Sequence, residues 1–204
     1  MAHSRASVLA AVLVAGLIGS AAGHAEQVFD PSGPIKVTAR SSVIDWKNNS
    51  GAFHSIRITQ DGYAIEAEEA TADGLDTKSS QWVFRGNVRI TMPDGSISSD
   101  EARVKFVANS IADAQITGAP ANFEQRRDKR VARGHASHID YDFVASTVRL
   151  SEGATLSDGE HEISGRTLVY DMKAQRLRAS PEEQNGGVVT FIIDPKKPDA
   201  KPKP

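Results

Sequence analysis

The histidines of this sequence could bind a metal or move a proton, but they are few and their spacing does not bring them together. His135 and His138 lie three residues apart in a stretch where polar and apolar residues alternate. Side chains of a β-strand alternate between its two faces, so this spacing predicts that the two imidazoles lie on opposite faces. Asp140 and Asp142 share the parity of the polar face, and the chain contains no cysteine. Neither a metal site nor another cofactor is therefore expected.

The sequence also lacks the motifs of nucleophilic and nucleotide-driven catalysis. Ser137 lies within an alternating run and not in the Gly-x-Ser-x-Gly turn that exposes a hydrolase nucleophile. No glycine-rich loop followed by Lys and Ser or Thr is present to hold nucleotide phosphates. We therefore expect a protein that is not an enzyme. The catalytic alternative is a hydrolase of envelope glycans that uses His135 or Asp140, although no carboxylate pair suited to glycoside hydrolysis can be placed.

Two kinds of charge cluster interrupt the alternating runs. Basic residues crowd one short segment, at Arg126, Arg127, Lys129, Arg130 and Arg133. We interpret the segment as the solvated tip of a hairpin, with phosphate contact as the alternative, because guanidinium groups pair well with phosphates. The acidic pairs Glu68-Glu69 and Asp100-Glu101 are interpreted as solvated strand edges or turns.

The elements that must position all these side chains are short β-strands. Apolar residues recur at every second position in many segments, so each segment has one dry face and one wet face. Such runs include Ile35 and Val37, Tyr63 and Ile65, Val88 and Ile90, Val104 and Phe106, and Ile139 and Tyr141. Asp-Gly pairs such as Asp61-Gly62 and Asp73-Gly74 separate runs and favour tight hairpins. The pattern predicts an all-β fold with antiparallel strands.

Similar elements recur along the chain, which predicts stacked hairpins around one continuous core. They surround Ile65, Ile97, Ile139 and, more loosely, Ile163, at spacings of 24 to 42 residues. An elongated sandwich or jelly roll accounts for this pattern. The alternation alone leaves two roles for the dry face, which either closes as an ordinary core or stays open as an apolar trough.

The N-terminal segment predicts export. Arg5 precedes the apolar run from Val8 to Ile18, and a small-x-small cleavage site ends at Ala25. The apolar run is about half of the roughly 20 residues that a spanning helix needs, so a cleaved signal peptide over 1–25 is favoured over a retained anchor. Its removal leaves 23 basic against 26 acidic residues (Arg5 is one of 24 basic residues), a balance that predicts no nucleic-acid partner. We expect the mature protein in the periplasm.

The remaining boundaries follow from composition. A short lead over 26–33 precedes the strand ladder, which we expect to form one domain over 34–194. Residues 195–204 are almost entirely Pro and Lys, which cannot join a sheet or bury apolar surface. We predict a disordered tail there, with attraction to anionic lipid headgroups as the alternative.

Several segments together resemble a known family. They are Pro-Ile-Lys-Val at 34–37, Phe-Arg-Gly-Asn-Val-Arg-Ile at 84–90, Gly-Ala-Pro-Ala-Asn-Phe-Glu-Gln at 118–125, Gly-His-Ala-Ser at 134–137, Tyr141, and Gly165 with Tyr170-Asp171. Nearly all of residues 34–194 resembles the LptA/OstA family of periplasmic lipopolysaccharide-transport proteins. The stretch 56–81 departs from the family pattern and looks like an additional hairpin.

The resemblance implies a jelly roll of antiparallel strands, open along one side, whose apolar groove shields the acyl chains of lipid A. The residues that would line this groove, by their match to the family, are Ile35, Val37, Ile44, Val88, Phe123 and Tyr141. It also implies a bridge that carries lipopolysaccharide between membranes by head-to-tail self-association. Its partners would be an LptC-like inner-membrane protein and an LptD-like outer-membrane protein. The alternatives are an LptC-like relative that keeps a membrane anchor, and a closed structural β-repeat that binds no lipid.

Overall fold

The computed structural model describes residues 35–75, 79–93, 95–107, 110–127, 130–142, 144–158, 160–171, 174, 176–180 and 188–193. These residues form one antiparallel sheet of 12 strands, with no helix among them. The strands are β1 (Lys36–Thr38), β2 (Ser41–Asp45), β3 (Ser50–Gln60), β4 (Tyr63–Asp73), β5 (Ser79–Met92), β6 (Gly95–Val107), β7 (Ser110–Arg127), β8 (Arg130–Asp142), β9 (Thr147–Ser157), β10 (His161–Asp171), β11 (Arg176–Ser180) and β12 (Thr190–Ile193). The predicted all-β antiparallel fold is confirmed. The predicted signal peptide, lead and tail lie outside the described residues.

The strands pair in chain order from β3 to β10, so the sheet is a ladder of consecutive hairpins. At one end both β1 and β2 pair with β3, and at the other end both β11 and β12 pair with β10. The two ends do not pair with each other, which leaves the sheet open. Local sequence explains the hairpins: Asp61 and Gly62 take φ values of 46° and 86°, as a tight two-residue turn requires.

Each long strand is interrupted near its middle, and the interruptions lie side by side across the sheet. Positive φ angles mark them at Ser55, Gly86, Asn87, Glu152 and Gly153. Register shifts mark them between Glu66 and Glu69, Arg85 and Val88, Ser98 and Glu101, Thr117 and Ala121, His135 and His138, and Gly165 and Thr167. We call this row of interruptions the bend line, because bulges and left-handed residues bend a strand locally.

The bend line divides the sheet into two parts. Leaf A comprises the described residues within 41–54, 69–85, 101–117, 138–151 and 167–180. Leaf B comprises the described residues within 35–38, 56–66, 88–99, 121–136, 154–165 and 188–193. Apolar residues of both leaves form one buried cluster, for example Ile116 and Leu150 from leaf A with Ile97 and Leu156 from leaf B. The sheet is therefore folded along the bend line, with the two dry faces packed on each other.

Polar side chains connect neighbouring strands along the bend line. The contacts are His54–Glu69 (3.7 Å), Glu68–Asn87, Arg85–Glu101 (2.7 Å), the amide N–H of Ala119 donating to Asp100 (3.1 Å), and His138–Glu152 (3.4 Å). The interpretation of Glu68-Glu69 and Asp100-Glu101 as strand edges or turns was wrong. Both pairs lie in the middle of long strands, where the carboxylates of Glu68, Asp100 and Glu101 accept hydrogen bonds and that of Glu69 lies 3.7 Å from the His54 ring.

A glycine in leaf B makes room for an aromatic ring. Phe123, Gly134 and Leu156 are direct neighbours across β7, β8 and β9. A Cβ atom added to Gly134 would lie 2.3 Å from Cε1 of Phe123 and 2.6 Å from the carbonyl oxygen of Thr155. The Phe123 ring thus packs directly over the Gly134 backbone, and only glycine fits beneath it.

We predict that Gly134→Ala lowers the free energy of unfolding by about 1–3 kcal/mol, because the new methyl group overpacks the interior. Phe123→Leu removes the ring that the methyl group strikes. In a double-mutant cycle measured by urea unfolding, the two changes together should cost at least ~1 kcal/mol less than their sum. Strict additivity would show that the ring does not constrain this position.

Candidate functional site

The inner face of the folded sheet carries a continuous row of apolar residues in each leaf, with Gln60, Ser80 and Ser99 as buried polar residues among the described ones. In leaf B, residues that lie directly opposite each other on neighbouring strands form one row across the inner face. The row consists of Val37, Ile58, Ile65, Ile90, Ile97, Phe123, Gly134, Leu156, Ile163 and Phe191. Leaf A contributes a matching row, which consists of Ile44, Gly51, Ala72, Trp82, Val104, Ala114, Tyr141, Val148, Tyr170 and Leu177. The dry face predicted from alternation is therefore continuous from one end of the sheet to the other.

Three of the six predicted lipid-contacting residues lie deep in this interior. Val88, Phe123 and Tyr141 are 1%, 6% and 5% exposed, and all three belong to the single buried cluster. Burial raises the pKa of the Tyr141 phenol to about 12, because the phenolate would lose its hydration. The interior is thus a low-polarity environment, packed by the protein's own side chains.

The other three predicted residues lie at the N-terminal edge of the sheet. Ile35 precedes β1, and Val37 lies within it with its Cα opposite Ile58; both are exposed. Ile44 lies on β2 opposite Gly51 and is partly buried against the cluster. The structure therefore gathers the six candidates into two groups, one in the core and one at an open end of the inner face.

Sequence reasoning did not select the equivalent residues at the C-terminal end. Phe191 and Ile193 lie on β12 with inward parity, opposite Ile163 and His161, and both are exposed. The ring of His161 stacks on that of Phe191 at 5.9 Å. The apolar run Phe191-Ile192-Ile193 was the available signal, but it has no alternation that could assign a face.

An aromatic stack inside leaf A was also not selected. Trp82 lies between Phe53 and Phe84, with ring centroids 5.5 and 6.0 Å apart. These residues come from β3 and β5, and the strand alternation did not reveal that they meet. The stack concentrates three aromatic rings in the N-terminal part of the leaf A interior.

The outer face is polar and held by ion pairs. Burial acts to raise the pKa of Glu101, but hydrogen bonds from Arg103 and Arg85 outweigh it and hold that pKa below its usual value. In leaf B, the hydrogen bond from Arg133 and the charge of Arg126 lower the pKa of Glu124. Two members of the predicted basic cluster are therefore paired with a carboxylate.

Two further members of that cluster flank the connection between β7 and β8. Arg127 ends β7 and Arg130 begins β8, and the two are direct partners in the ladder. Lys129 lies outside the described residues. The interpretation as a hairpin tip agrees with this topology.

The histidines are arranged differently from the prediction. His135 and His138 both lie on the outer face, because the register shift at Ser137 reverses the alternation between them. They are nevertheless separated by the bend line, His135 in leaf B and His138 in leaf A. Across the residues that the structure describes, no three His, Asp or Glu side chains are grouped as a metal site would need. No helix among those residues is long and apolar enough to cross a membrane.

Comparison with known proteins places this geometry in a family. The family model for the "LptA/(LptD N-terminal domain) LPS transport protein" matches residues 64–176. The lipopolysaccharide export system protein LptA of Escherichia coli K12 is 28% identical over 130 residues, which cover 62% of this chain and 69% of that protein. LptA of Haemophilus influenzae is 27% identical over 133 residues, which cover 63% and 77%.

A solved structure supports the same fold. The crystal structure of LptH, the LptA-homologous periplasmic component of the lipopolysaccharide transport device of Pseudomonas aeruginosa, matches with a TM-score of 0.52. The match covers 81% of this chain and 99% of LptH at 21% identity, which shows a shared fold. Since the family model spans more than half of the 204 residues, this chain belongs to the LptA/OstA family, whose shared unit is the LptA-like domain also found at the N-terminus of LptD.

Proposed function

We propose that this protein is a periplasmic lipopolysaccharide-transport protein that shields the acyl chains of lipid A between leaf A and leaf B. Family membership and the names of the curated relatives support transport of lipopolysaccharide. The observation that carries the proposal is the inner face, which is apolar except for a few buried polar residues such as Gln60 and Ser80, and is exposed at both ends of an open sheet. Ile35 and Val37 line one opening, and Phe191 and Ile193 line the other.

The topology supports a route by which acyl chains enter the interior. The two leaves are joined only along the bend line, where the long strands pass from one leaf to the other. Every described strand pair connects neighbours along the sheet. No described strand pair joins the leaves at the opposite rims, so spreading the leaves breaks side-chain packing and leaves the strand ladder intact. Acyl chains would then replace contacts around Val88, Phe123 and Tyr141, at about 0.8 kcal/mol for each methylene buried.

Transport needs partners, because the proposed role of this chain is to carry lipid and not to catalyse a reaction. Energy would come from ATP hydrolysis in another protein. We propose an LptC-like inner-membrane protein and an LptD-like outer-membrane protein as neighbours in the bridge. The free strands at each end, β1 and β2 or β11 and β12, offer unpaired backbone groups for adding a partner's strands.

Self-association can continue the ladder in both leaves at once. Strand directions alternate, so β11 of one copy would run antiparallel to β2 of the next copy, and β12 to β1. Extending the rows places Phe191 beside Val37 of the next copy, which pairs two apolar residues. The same register places Arg176 beside Asp45, which pairs opposite charges. Such head-to-tail contacts propagate and do not close.

The proposed maturation and boundaries follow the sequence. The signal peptide over 1–25 would be cleaved on export to the periplasm, and a lead over 26–33 would precede the domain over 34–194. The Pro/Lys segment over 195–204 would remain outside that domain.

One observation favours a second candidate function. Val88, Phe123 and Tyr141 are as buried as ordinary core residues. A structural scaffold with a permanently closed interior would show the same packing, and it would bind no lipid there.

We predict that photocrosslinking probes at Phe123 and Tyr141 capture lipopolysaccharide in producing cells. Matched probes at Asn122 and Asp140, which share the same strands but face outward, should capture none. Unfolding curves must first show that each probe protein is folded. Equal crosslinking from inward and outward positions, or no crosslinks from the inward pair in folded protein, would favour the closed scaffold.

We predict a stability loss at high pH that depends on Tyr141. Its folded pKa of about 12 exceeds the unfolded value near 10, so the unfolded chain loses the proton first as pH rises. Stability is therefore retained below pH ~10 and lost between about 10 and 12, on the order of 1–2 kcal/mol at pH ~11.5. Urea unfolding of Tyr141→Phe should show a smaller loss over this window. An identical loss in both proteins would place the phenol in a hydrated site.

We predict that Phe191→Glu or Val37→Lys alone abolishes concentration-dependent oligomers, because each buries an unpaired charge at the junction. The double variant should restore them, since the two charges would then meet between copies. Sedimentation velocity over a range of concentrations measures the outcome. Val144→Lys, on an exposed turn, serves as the control. Undiminished oligomers in Phe191→Glu would exclude this junction.

A further inference from the structure

The inner face of leaf A contains a buried serine at its rim, the end of the leaf that lies farthest from the bend line. Ser80 is the second residue of β5 and shares the inward parity of Trp82. It is only 6% exposed, and its Oγ atom has no hydrogen-bond partner among the described residues. Buried hydroxyls are nearly always hydrogen-bonded, because their desolvation is otherwise uncompensated. The presence of a serine here therefore needs a reason beyond packing.

The neighbours of this hydroxyl offer it little polarity. Phe106 lies directly opposite Ser80 on β6 and is itself buried. On the other side, a Cβ atom added to Gly74 would lie 2.7 Å from the Cβ atom of Ser80, so the serine packs closely against the backbone that follows β4. Trp82, the next inward residue of β5, belongs to the aromatic stack of leaf A. An alanine would pack equally well at this position and would leave no polar group unsatisfied.

The buried polar residues of the interior occupy two levels. Ser99 lies beside the bend line, and its hydroxyl donates to the carbonyl oxygen of Glu101 at 3.3 Å. Ser80 lies at the start of β5 and Gln60 ends β3, so both lie at the rims, one in each leaf. Apart from Ser99, the buried polar side chains among the described residues are therefore found at the level of the rims.

Lipid carriage would give this level a chemical meaning. Acyl chains that enter between the leaves from the rims would point their methyl ends toward the bend line. Their attachment to the headgroup would then lie near the rims. An acyl chain is attached through an ester or amide carbonyl, whose oxygen accepts hydrogen bonds. A hydroxyl at rim depth can meet that oxygen, whereas the deeper residues Trp82 and Phe84 can meet only hydrocarbon.

We propose that Ser80 donates a hydrogen bond to the ester or amide carbonyl of an acyl chain held between the leaves. This inference rests on the proposed lipid carriage and adds a residue that sets how deeply the chain is inserted. The hydroxyl destabilises the protein without lipid, because it is buried and unsatisfied, and it becomes satisfied on binding. Ser80 therefore makes the interior selective for acyl chains over alkyl chains of the same length.

The test compares glucose laurate with glucose dodecyl ether, joined at the same sugar hydroxyl, so that the two probes differ only in the carbonyl group. Equilibrium dialysis of the full chain, recovered from the periplasm of producing cells and freed of bound lipid, measures both affinities below micelle-forming concentrations. The parent should bind the ester about tenfold more tightly, as one hydrogen bond allows. Ser80→Ala should lose this preference and keep its affinity for the ether. It should also unfold at a higher urea concentration, because an unsatisfied buried group has been removed.

Two variants serve as matched controls. Ser99→Ala removes a buried hydroxyl that already donates to Glu101, so it should unfold at a lower urea concentration and keep the preference for the ester. Ser80→Cys nearly conserves the side-chain volume, but a thiol is a weak donor, so this variant should lose most of the preference. The parent chain contains no cysteine with which the new thiol could form a disulfide.

Equal affinity of the parent for ester and ether would overturn the role of Ser80, as would an undiminished preference in Ser80→Ala. A lower urea midpoint of Ser80→Ala, like that of Ser99→Ala, would show that the hydroxyl has a partner within the folded protein and would also overturn it. Lipid carriage stands in each of these cases if the probe at Phe123 captures lipopolysaccharide. If that probe captures none and the parent binds neither glucose derivative, the proposed function fails, and the role of Ser80 fails with it.

Discussion

The bend line is the constraint on which the rest of this structure depends. It makes each long strand contribute to both leaves, so a single sheet supplies both walls of its own interior. Residues with positive φ, such as Ser55, Asn87 and Glu152, cost roughly 1 kcal/mol or more each. Carboxylates at the same level, notably Glu68 and Asp100, offset part of this cost by accepting hydrogen bonds from groups that the bends expose. Packing of leaf on leaf supplies the main compensation, since each buried Leu or Ile contributes roughly 1.5–3 kcal/mol.

Folding a single sheet on itself also determines where unpaired strand edges remain. A closed barrel would have no edges, but here each end of the ladder carries two short strands, one in each leaf. The same ends expose apolar residues of the inner face, Val37 at one end and Phe191 at the other. Edges and interior openings therefore coincide. A neighbour that extends the strands would also extend the apolar interior, which is the geometry that the proposed lipid bridge requires.

The sequence predicted the parts of this fold that are local. Alternation and the Asp61-Gly62 turn are short-range signals, and they correctly indicated antiparallel hairpins. The bend line could not be predicted, because a register shift in one strand is compensated only by its neighbours. This explains why His135 and His138 were assigned to opposite faces although both lie outside. The family resemblance supplied six candidate lipid-contacting residues that alternation alone could not select. The structure divides these candidates into buried residues such as Tyr141 and edge residues such as Val37. The contact of Phe123 with Gly134 links two strands, and no pattern within either strand reveals it.

The packed interior is compatible with the proposed lipid carriage, because acyl chains that enter would replace side-chain contacts of similar free energy. Opening the leaves removes contacts between side chains of similar polarity to an acyl chain, while strand hydrogen bonds remain in place. Each methylene that enters regains about the same free energy as a side-chain methylene that is displaced. The net cost of exchange is then small compared with the gross burial on either side. A carrier needs this balance, since a lipid held much more tightly than the protein's own side chains would not be released to the next protein in the bridge.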